Sequence, residues 1–380
     1  MTASLELSPA AEAIAWNVDL LTQILVSLPA KSLIRFKSVS KQWRSLISDS
    51  QFATKHHCRN PRPSISGVFL CWGNLFERFK CVTLQGDPTG PSLDYLKQTG
   101  LMYRTEMIGS SNGLLLFEYR TIHYRCVHYF VCNPTTQMCT LIPKPHTGLI
   151  SAGRDDALFA FDPSKSPHYK VVILSHCPYD YVKKSYVRIN IYSSKSATWK
   201  QHRSVPYTSI AYPAYCSGVI YWLHNGNVIS GFDVDSEKLI QKELPLKVHD
   251  DVRSIKYFGE CDGRLIHIQS ETLVAIEFDI LETDDDYSHW IVKCRVNLGP
   301  LHSIPHHWGT YAQYSVSSVL KGEEEDFALV LAFPSKVVYY NLKCNTWNVL
   351  HDDVPGDPSS TGRLDYYTTA CPYIQTLHLI

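Results

Sequence analysis

Apolar residues near the start of the chain recur at helical spacing. Leu20, Leu21, Ile24, Leu25 and Leu28 share one face of VDLLTQILVSL, which predicts an amphipathic helix. Pro29 lacks an amide donor and clashes with a preceding turn, so a break is expected at Leu28-Pro29. Leu33 and Phe36 then share a face, as do Trp43, Leu46 and Ile47. Ser38-Val39-Ser40 is the expected joint, with Ser40 as N-cap, and a further short helix is expected from Asp49, carrying Phe52. Helices this short are marginal alone, and about forty residues cannot bury enough area to fold without a partner or a neighbouring domain.

The pattern changes at NPRPS, residues 60–64, where two prolines break any helix and β-branched and aromatic runs follow. A degenerate repeat runs through the remainder: a large apolar residue, then Asn, Asp or Ser, then a turn, with a second apolar residue seven positions after the first. Cys132-Asn133 leads to Cys139, Tyr192-Ser193 to Trp199, Phe232-Asp233 to Leu239, and Tyr340-Asn341 to Trp347; Phe161-Asp162 begins the same way but reaches Tyr169 after eight. The polar residue opens a turn by bonding its own downstream backbone, and the two flanking residues land on the same side of a small sheet. Glycine-led strands stand between these units: NGLLLF from Asn112, SGVIYWL from Ser217 and DGRLIHI from Asp262. The units recur roughly every 40 to 60 residues, the spacing of propeller blades, each a four-stranded sheet that buries both faces only by stacking on its neighbours.

The expected fold is therefore α+β and multi-domain: a small all-α helical unit at residues 12–58, a linker at 59–66, and a mainly-β, kelch-like propeller of about six blades at 67–380. The stretch 67–103 and the C-terminal stretch show the repeat poorly, and DILETDDDYSHW and KGEEEDF read as insertions.

Composition adds exclusions. With 36 Lys+Arg against 36 Asp+Glu, the chain has no overall bias toward nucleic acid or an anionic membrane. No apolar run approaches the roughly 20 residues of a membrane span, and the N-terminus lacks a signal pattern. The 12 cysteines are scattered, many inside apolar runs, and read as reduced small hydrophobes. Together these features suggest a soluble, unsecreted chain, cytoplasmic and/or nuclear.

Few clusters suggest chemistry. The acidic runs Asp284-Asp285-Asp286 and Glu323-Glu324-Glu325-Asp326 lack the spaced ligands of a calcium loop and read as solvated loop charge. His56-His57-Cys58 and His302, His306 and His307 lack paired zinc-ligand spacings, so no metal and no cofactor is expected. There is no G-x-S-x-G elbow and no phosphate-binding P-loop. Lys31, Arg35, Lys37, Lys41 and Arg44 form the one local charge asymmetry. Interleaved with large apolar side chains, they imply a hydrophobic contact surface with a basic rim.

Residues 19–49, DLLTQILVSLPAKSLIRFKSVSKQWRSLISD, resemble the F-box, the module by which substrate receptors of SCF-type ubiquitin ligases bind the adaptor Skp1. GSSNGLLLF, NPTTQMCTLIP, FDPSKSPHYKVV, IYSSKSATWK, SGVIYWL and FDVDSEK resemble, in order, the kelch-like F-box-associated domain of a large plant group. The resemblance implies a non-catalytic receptor that binds a Skp1-like adaptor, and through it a cullin/RING assembly, while the propeller holds a target protein. It assigns the helical core and adaptor surface to Trp16, Leu20, Leu21, Ile24, Leu25, Leu28, Pro29, Leu33, Phe36, Val39, Trp43 and Leu46, with Lys31, Arg35, Lys37, Lys41 and Arg44 facing an acidic adaptor. One departure stands out: Trp16-Asn17 replaces the family's usual Leu-Pro. Two other readings stay open: a propeller enzyme or sugar binder whose helical leader is only a packing element, and a binding protein that keeps the F-box but acts outside a ligase.

Overall fold

The computed structural model describes residues 17–60, 65–72, 79–85, 90–98, 105–120, 127–144, 155–177, 186–202, 205–206, 211–224, 228–242, 255–270, 275–299, 301, 314–322, 326–333, 336–352 and 367–380. Four helices come first: α1 (Val18–Leu25), α2 (Ala30–Phe36), α3 (Lys41–Ile47) and α4 (Ser50–Arg59). Their starts follow capping chemistry. The Asn17 side chain accepts from the Asp19 and Leu20 amides, Ser40 Oγ accepts from the Trp43 amide, and Asp49 accepts from the Gln51 and Phe52 amides. Pro29 stands at the start of α2 and offers no side-chain cap. Leu21, Leu25, Ala30, Leu33, Ile47, Phe52 and Ala53 form the buried core of this unit.

The strands form six sheets. Blade II holds β3 (Thr105–Ser111), β4 (Leu114–Arg120), β5 (Val127–Asn133) and β6 (Met138–Leu141). Blade III holds β7 (Asp155–Ala160), β8 (Lys170–Cys177), β9 (Tyr186–Ser193) and β10 (Thr198–Gln201), with β11 (Val205–Pro206) also paired to β9. Blade IV holds β12 (Ala211–Cys216), β13 (Val219–His224), β14 (Val228–Asp233) and β15 (Lys238–Lys242). Blade V holds β16 (Ile255–Cys261), β17 (Arg264–Gln269), β18 (Glu277–Thr283) and β19 (Trp290–Asn297). Blade VI holds β20 (Ser315–Lys321), β21 (Phe327–Ala332), β22 (Lys336–Asn341) and β23 (Thr346–Asp352). Blade I is composite: β1 (Gly67–Trp72) and β2 (Phe79–Val82) pair with β24 (Tyr367–Tyr373) from the other end of the chain.

The first strands β3, β7, β12, β16 and β20, together with β24, adjoin one another in a closed circuit, so this is a six-bladed propeller sealed by its own C-terminal strand. Six apolar clusters fill the six seams between neighbouring blades. Strand alternation explains the unbroken run LLLF: Leu114 and Leu116 enter the seam with blade III, while Leu115 and Phe117 enter the seam with blade I.

The seven-residue spacing is the outer hairpin of four blades. Cys132 faces Cys139, Tyr192 faces Trp199, Phe232 faces Leu239 and Tyr340 faces Trp347. In three of them Asn133, Asp233 or Asn341 accepts from two amides of the turn. The equivalent residue in all four, Gln137, Ala197, Glu237 or Asn345, has positive φ. Phe161-Asp162 belongs elsewhere, in the connection between β7 and β8, which accounts for its different spacing. The glycine-led strands follow two-residue turns, Asn112-Gly113, Ser217-Gly218 and Asp262-Gly263, in which both residues have positive φ, the geometry that matches strand twist.

One expectation needs correction. Eight cysteines are free among the described residues, but Cys132 and Cys139 form a disulfide. The hairpin register sets them directly opposite, with Cα atoms 4.3 Å apart.

Candidate functional site

The helical unit divides the residues expected at its contact surface into three layers. Leu21, Leu25 and Leu33 are at most 2% exposed and hold the helices together. Leu28, Phe36, Trp43 and Leu46 are half-buried and pack on that core. Phe36 and Trp43 meet edge to face with ring centroids 5.7 Å apart. Leu20 and Ile24 on α1, 44% and 48% exposed, and Val39 at 59%, point outward, as does Val18 at 50%, which the sequence reading passed over. Pro29, Lys31, Arg35 and Lys41 are also exposed. Trp16 lies outside the described residues.

Position explains the division of α1. Leu21 and Leu25 are one turn apart and enter the shared core with residues of α2, α3 and α4, whereas Leu20 and Ile24 precede each by one residue and are rotated out of the core. The Asn17 cap sets where that helix begins, and Asp19 adds a negative charge in the first turn, where the helix dipole favours it.

The charge around this face is one-sided. Between residues 17 and 60 the only acids are Asp19 and Asp49, against Lys31, Arg35, Lys37, Lys41, Arg44, Lys55 and Arg59. Burial and then the nearby Arg44 charge lower the Lys37 pKa. Together, an exposed apolar row on α1 and a basic α2–α3 surface suit a partner that offers apolar pockets within an acidic rim.

The other clusters stay apart from this face or lie outside the described residues. Asp284 opens the β18–β19 turn, accepting from the Ser288 amide and hydroxyl, and its pKa is lowered first by the Ser288 hydroxyl. Asp285 pairs with Arg264. His56 bonds the Leu28 carbonyl through Nε2 at 2.9 Å, a packing role within the helical unit. His302, His306, His307 and residues 323–325 lie outside the described residues, and no group of three metal-ligating side chains converges among the described residues. A cleft of about 100 Å³ between blades III and IV contains Lys165, Lys170 and Tyr215. Its Lys170 is held by Asp235 at 2.7 Å and its Lys165 lies 3.7 Å from Asp162.

Comparison with known proteins bears on the whole chain. The F-box domain family matches residues 17–55, and the family described as F-box associated beta propeller domain matches residues 91–359. The chain belongs to the F-box proteins that carry this propeller. Similar relatives of this F-box protein come from Arabidopsis thaliana. F-box protein At5g07610 is 32% identical over 368 residues, covering 88% of this chain and 85% of its own length. F-box protein At5g49610 is 28% identical, covering 66% of this chain and 71% of its own. F-box protein At5g65850 is 29% identical, covering 68% and 64%. The matched F-box begins at Asn17, where the structure places the cap of α1.

Sequence reasoning passed over the small core residues Ala30 and Ala53 and missed one large core residue from the far end of the chain. Leu377, near the C-terminus, is 4% exposed and buried among the helices. Nothing local marks it, because IQTLHLI reads equally well as another strand end.

Proposed function

We propose that this F-box protein is the substrate-recognition subunit of an SCF-type ubiquitin ligase, with a Skp1-like adaptor on the F-box and a target protein on the propeller. The observation that carries this reading is that Leu20 and Ile24, one turn apart on α1, together with Val18 and Val39, are exposed on a unit whose other large apolar side chains are at least half-buried and whose sequence is rich in basic residues. Small soluble units rarely leave such residues in water without a partner to cover them. Leu28, Phe36, Trp43 and Leu46, half-buried against the helical core, add partly exposed apolar area to the same unit. Lys31, Arg35 and Lys41 steer an acidic adaptor, affecting encounter more than residence.

In this reading the domains run from 12 to 58 and from 67 to 380, and the chain acts in the cytoplasm, the nucleus or both. The protein itself performs no chemistry: it holds a target near a ubiquitin-charged enzyme delivered through the adaptor, cullin and RING subunits, so its contribution is proximity. The test is co-purification of the full chain with a Skp1 homologue. Wild type is expected to retain it, and Ile24→Glu to lose it while remaining folded. Failure of the wild type, or undiminished binding by the variant, would overturn the assignment.

A further inference from the structure

The F-box is not closed by its own residues. After β24, the chain runs as residues 374–380 between the helices and blades II and III, with contacts on both sides. Thr376 N donates to Thr135 Oγ1 at 3.1 Å, and Asn133 Nδ2 donates to the Thr376 and His378 carbonyls at 3.1 and 2.8 Å. Asn133 thus grips the backbone on both sides of Leu377, and the Leu377 side chain turns the other way, into the F-box core. The tail passes so close to the Asn112-Gly113 turn that a Cβ on Gly113 would lie 2.4 Å from the Ile374 carbonyl oxygen; Gly113 also has φ +85°. Ile380 ends the run against the seam between blades II and III.

Contacts on the helical side are just as specific. Pro29 gives α2 no side-chain cap, and the Lys31 amide in its first turn is met by Gln375 Oε1 at 3.3 Å. The His378 ring, 2% exposed, lies 5.7 Å from the His57 ring on α4 and 5.2 Å from the Phe161 ring of the propeller. One short segment therefore supplies a core residue, a helix cap and an aromatic bridge.

We propose that residues 374–380 are a clamp that completes the F-box and fixes it to the propeller, with Leu377, Gln375 and His378 as positioning residues for adaptor binding. The adaptor part rests on the ligase reading; the clamp itself does not. A helical unit of this size needs a neighbour to fold against, and the neighbour is the end of the strand that closes the propeller ring. A target held by the blades is then carried at a fixed angle to the adaptor, which a free hinge would not provide.

Hydrogen exchange on the full chain tests this. Leu377→Asp is expected to speed exchange in α1–α4 at least tenfold while β8, β13 and β21 exchange as in wild type, and Leu377→Met is expected to restore protection. Unchanged protection of the helices would overturn the clamp. So would exchange that rises equally in every blade, since the tail would then be part of the propeller's own fold. Affinity for a Skp1 homologue, measured on the same variants, is expected to fall about tenfold with Leu377→Asp and recover with Leu377→Met; equal affinity in all three would overturn the positioning role. A wild-type chain that binds no adaptor would remove the ligase reading and leave the exchange result to decide the clamp.

Discussion

The F-box and the propeller treat apolar residues in opposite ways. Across a blade strand, alternate side chains enter two different seams, so a run such as Leu114-Leu115-Leu116-Phe117 is buried completely. Across α1, only alternate pairs are buried: Leu21 and Leu25 go inward while Leu20 and Ile24 remain in water. The same residue types stabilise the fold in one region and stay available for binding in the other. Stability and recognition should therefore separate cleanly by position.

The largest expected effect that sharpens this contrast is Phe117→Ala. Phe117 is fully buried, stacked on Phe130 with centroids 5.0 Å apart and met edge-on by Phe79 at 5.3 Å. Truncation should cost about 3–5 kcal/mol of propeller stability, read from the denaturant midpoint. Leu20→Ala, on the exposed row, should change stability by no more than about 0.5 kcal/mol. Equal losses would erase the distinction between the two regions.

Acid should act between the regions, at the clamp. Burial, followed by the charges of His57 and His56, lowers the His378 pKa from 6.5 to about 4. Burial likewise lowers that of His57, with Asp162 opposing and His56 adding to the effect. The unfolded chain then binds more protons than the folded one between pH 6.5 and 4, so stability falls as pH drops through that window. For His378 alone the loss should be on the order of 2–3 kcal/mol by pH 4. A pH series of unfolding curves checks it, with His378→Phe expected to flatten the slope; an unchanged slope would contradict the assignment of His378.

The smallest effect belongs to the basic rim. Changing Arg35 and Lys41 to Ala should lower the association rate with an acidic adaptor a few-fold, with the difference vanishing at high salt. Stopped-flow association at two ionic strengths measures it, and a salt-independent loss would point to lost packing instead.

Much of this architecture was legible because it is local. The seven-residue hairpins and the glycine-led two-residue turns are fixed by turn chemistry within a few residues, and the structure reproduces their register pair by pair. The helix break at Pro29 and the caps at Ser40 and Asp49 are likewise written in single residues. What escaped was long-range. The repeat looked poor at both ends because blade I is assembled from both, β1 and β2 pairing with β24. One local feature escaped too, the Cys132–Cys139 bond: the hairpin that sets the two residues opposite is readable from the spacing, its consequence for two thiols is not. Helical periodicity identified the apolar face of α1 but not which half of it is turned outward, because that depends on where the other helices and Leu377 lie.

The central claim, that the outward half of α1 is a binding surface, is tested most directly by calorimetric titration of a Skp1 homologue into the full chain and its Leu20→Glu/Ile24→Glu double variant. A control places one charge on an exposed apolar residue of the propeller, Leu239→Glu. The expected result is saturable binding by wild type and by the control, with at least a roughly 30-fold loss in the double variant and unchanged thermal unfolding in all three. Equal affinity in the double variant and wild type would contradict the account.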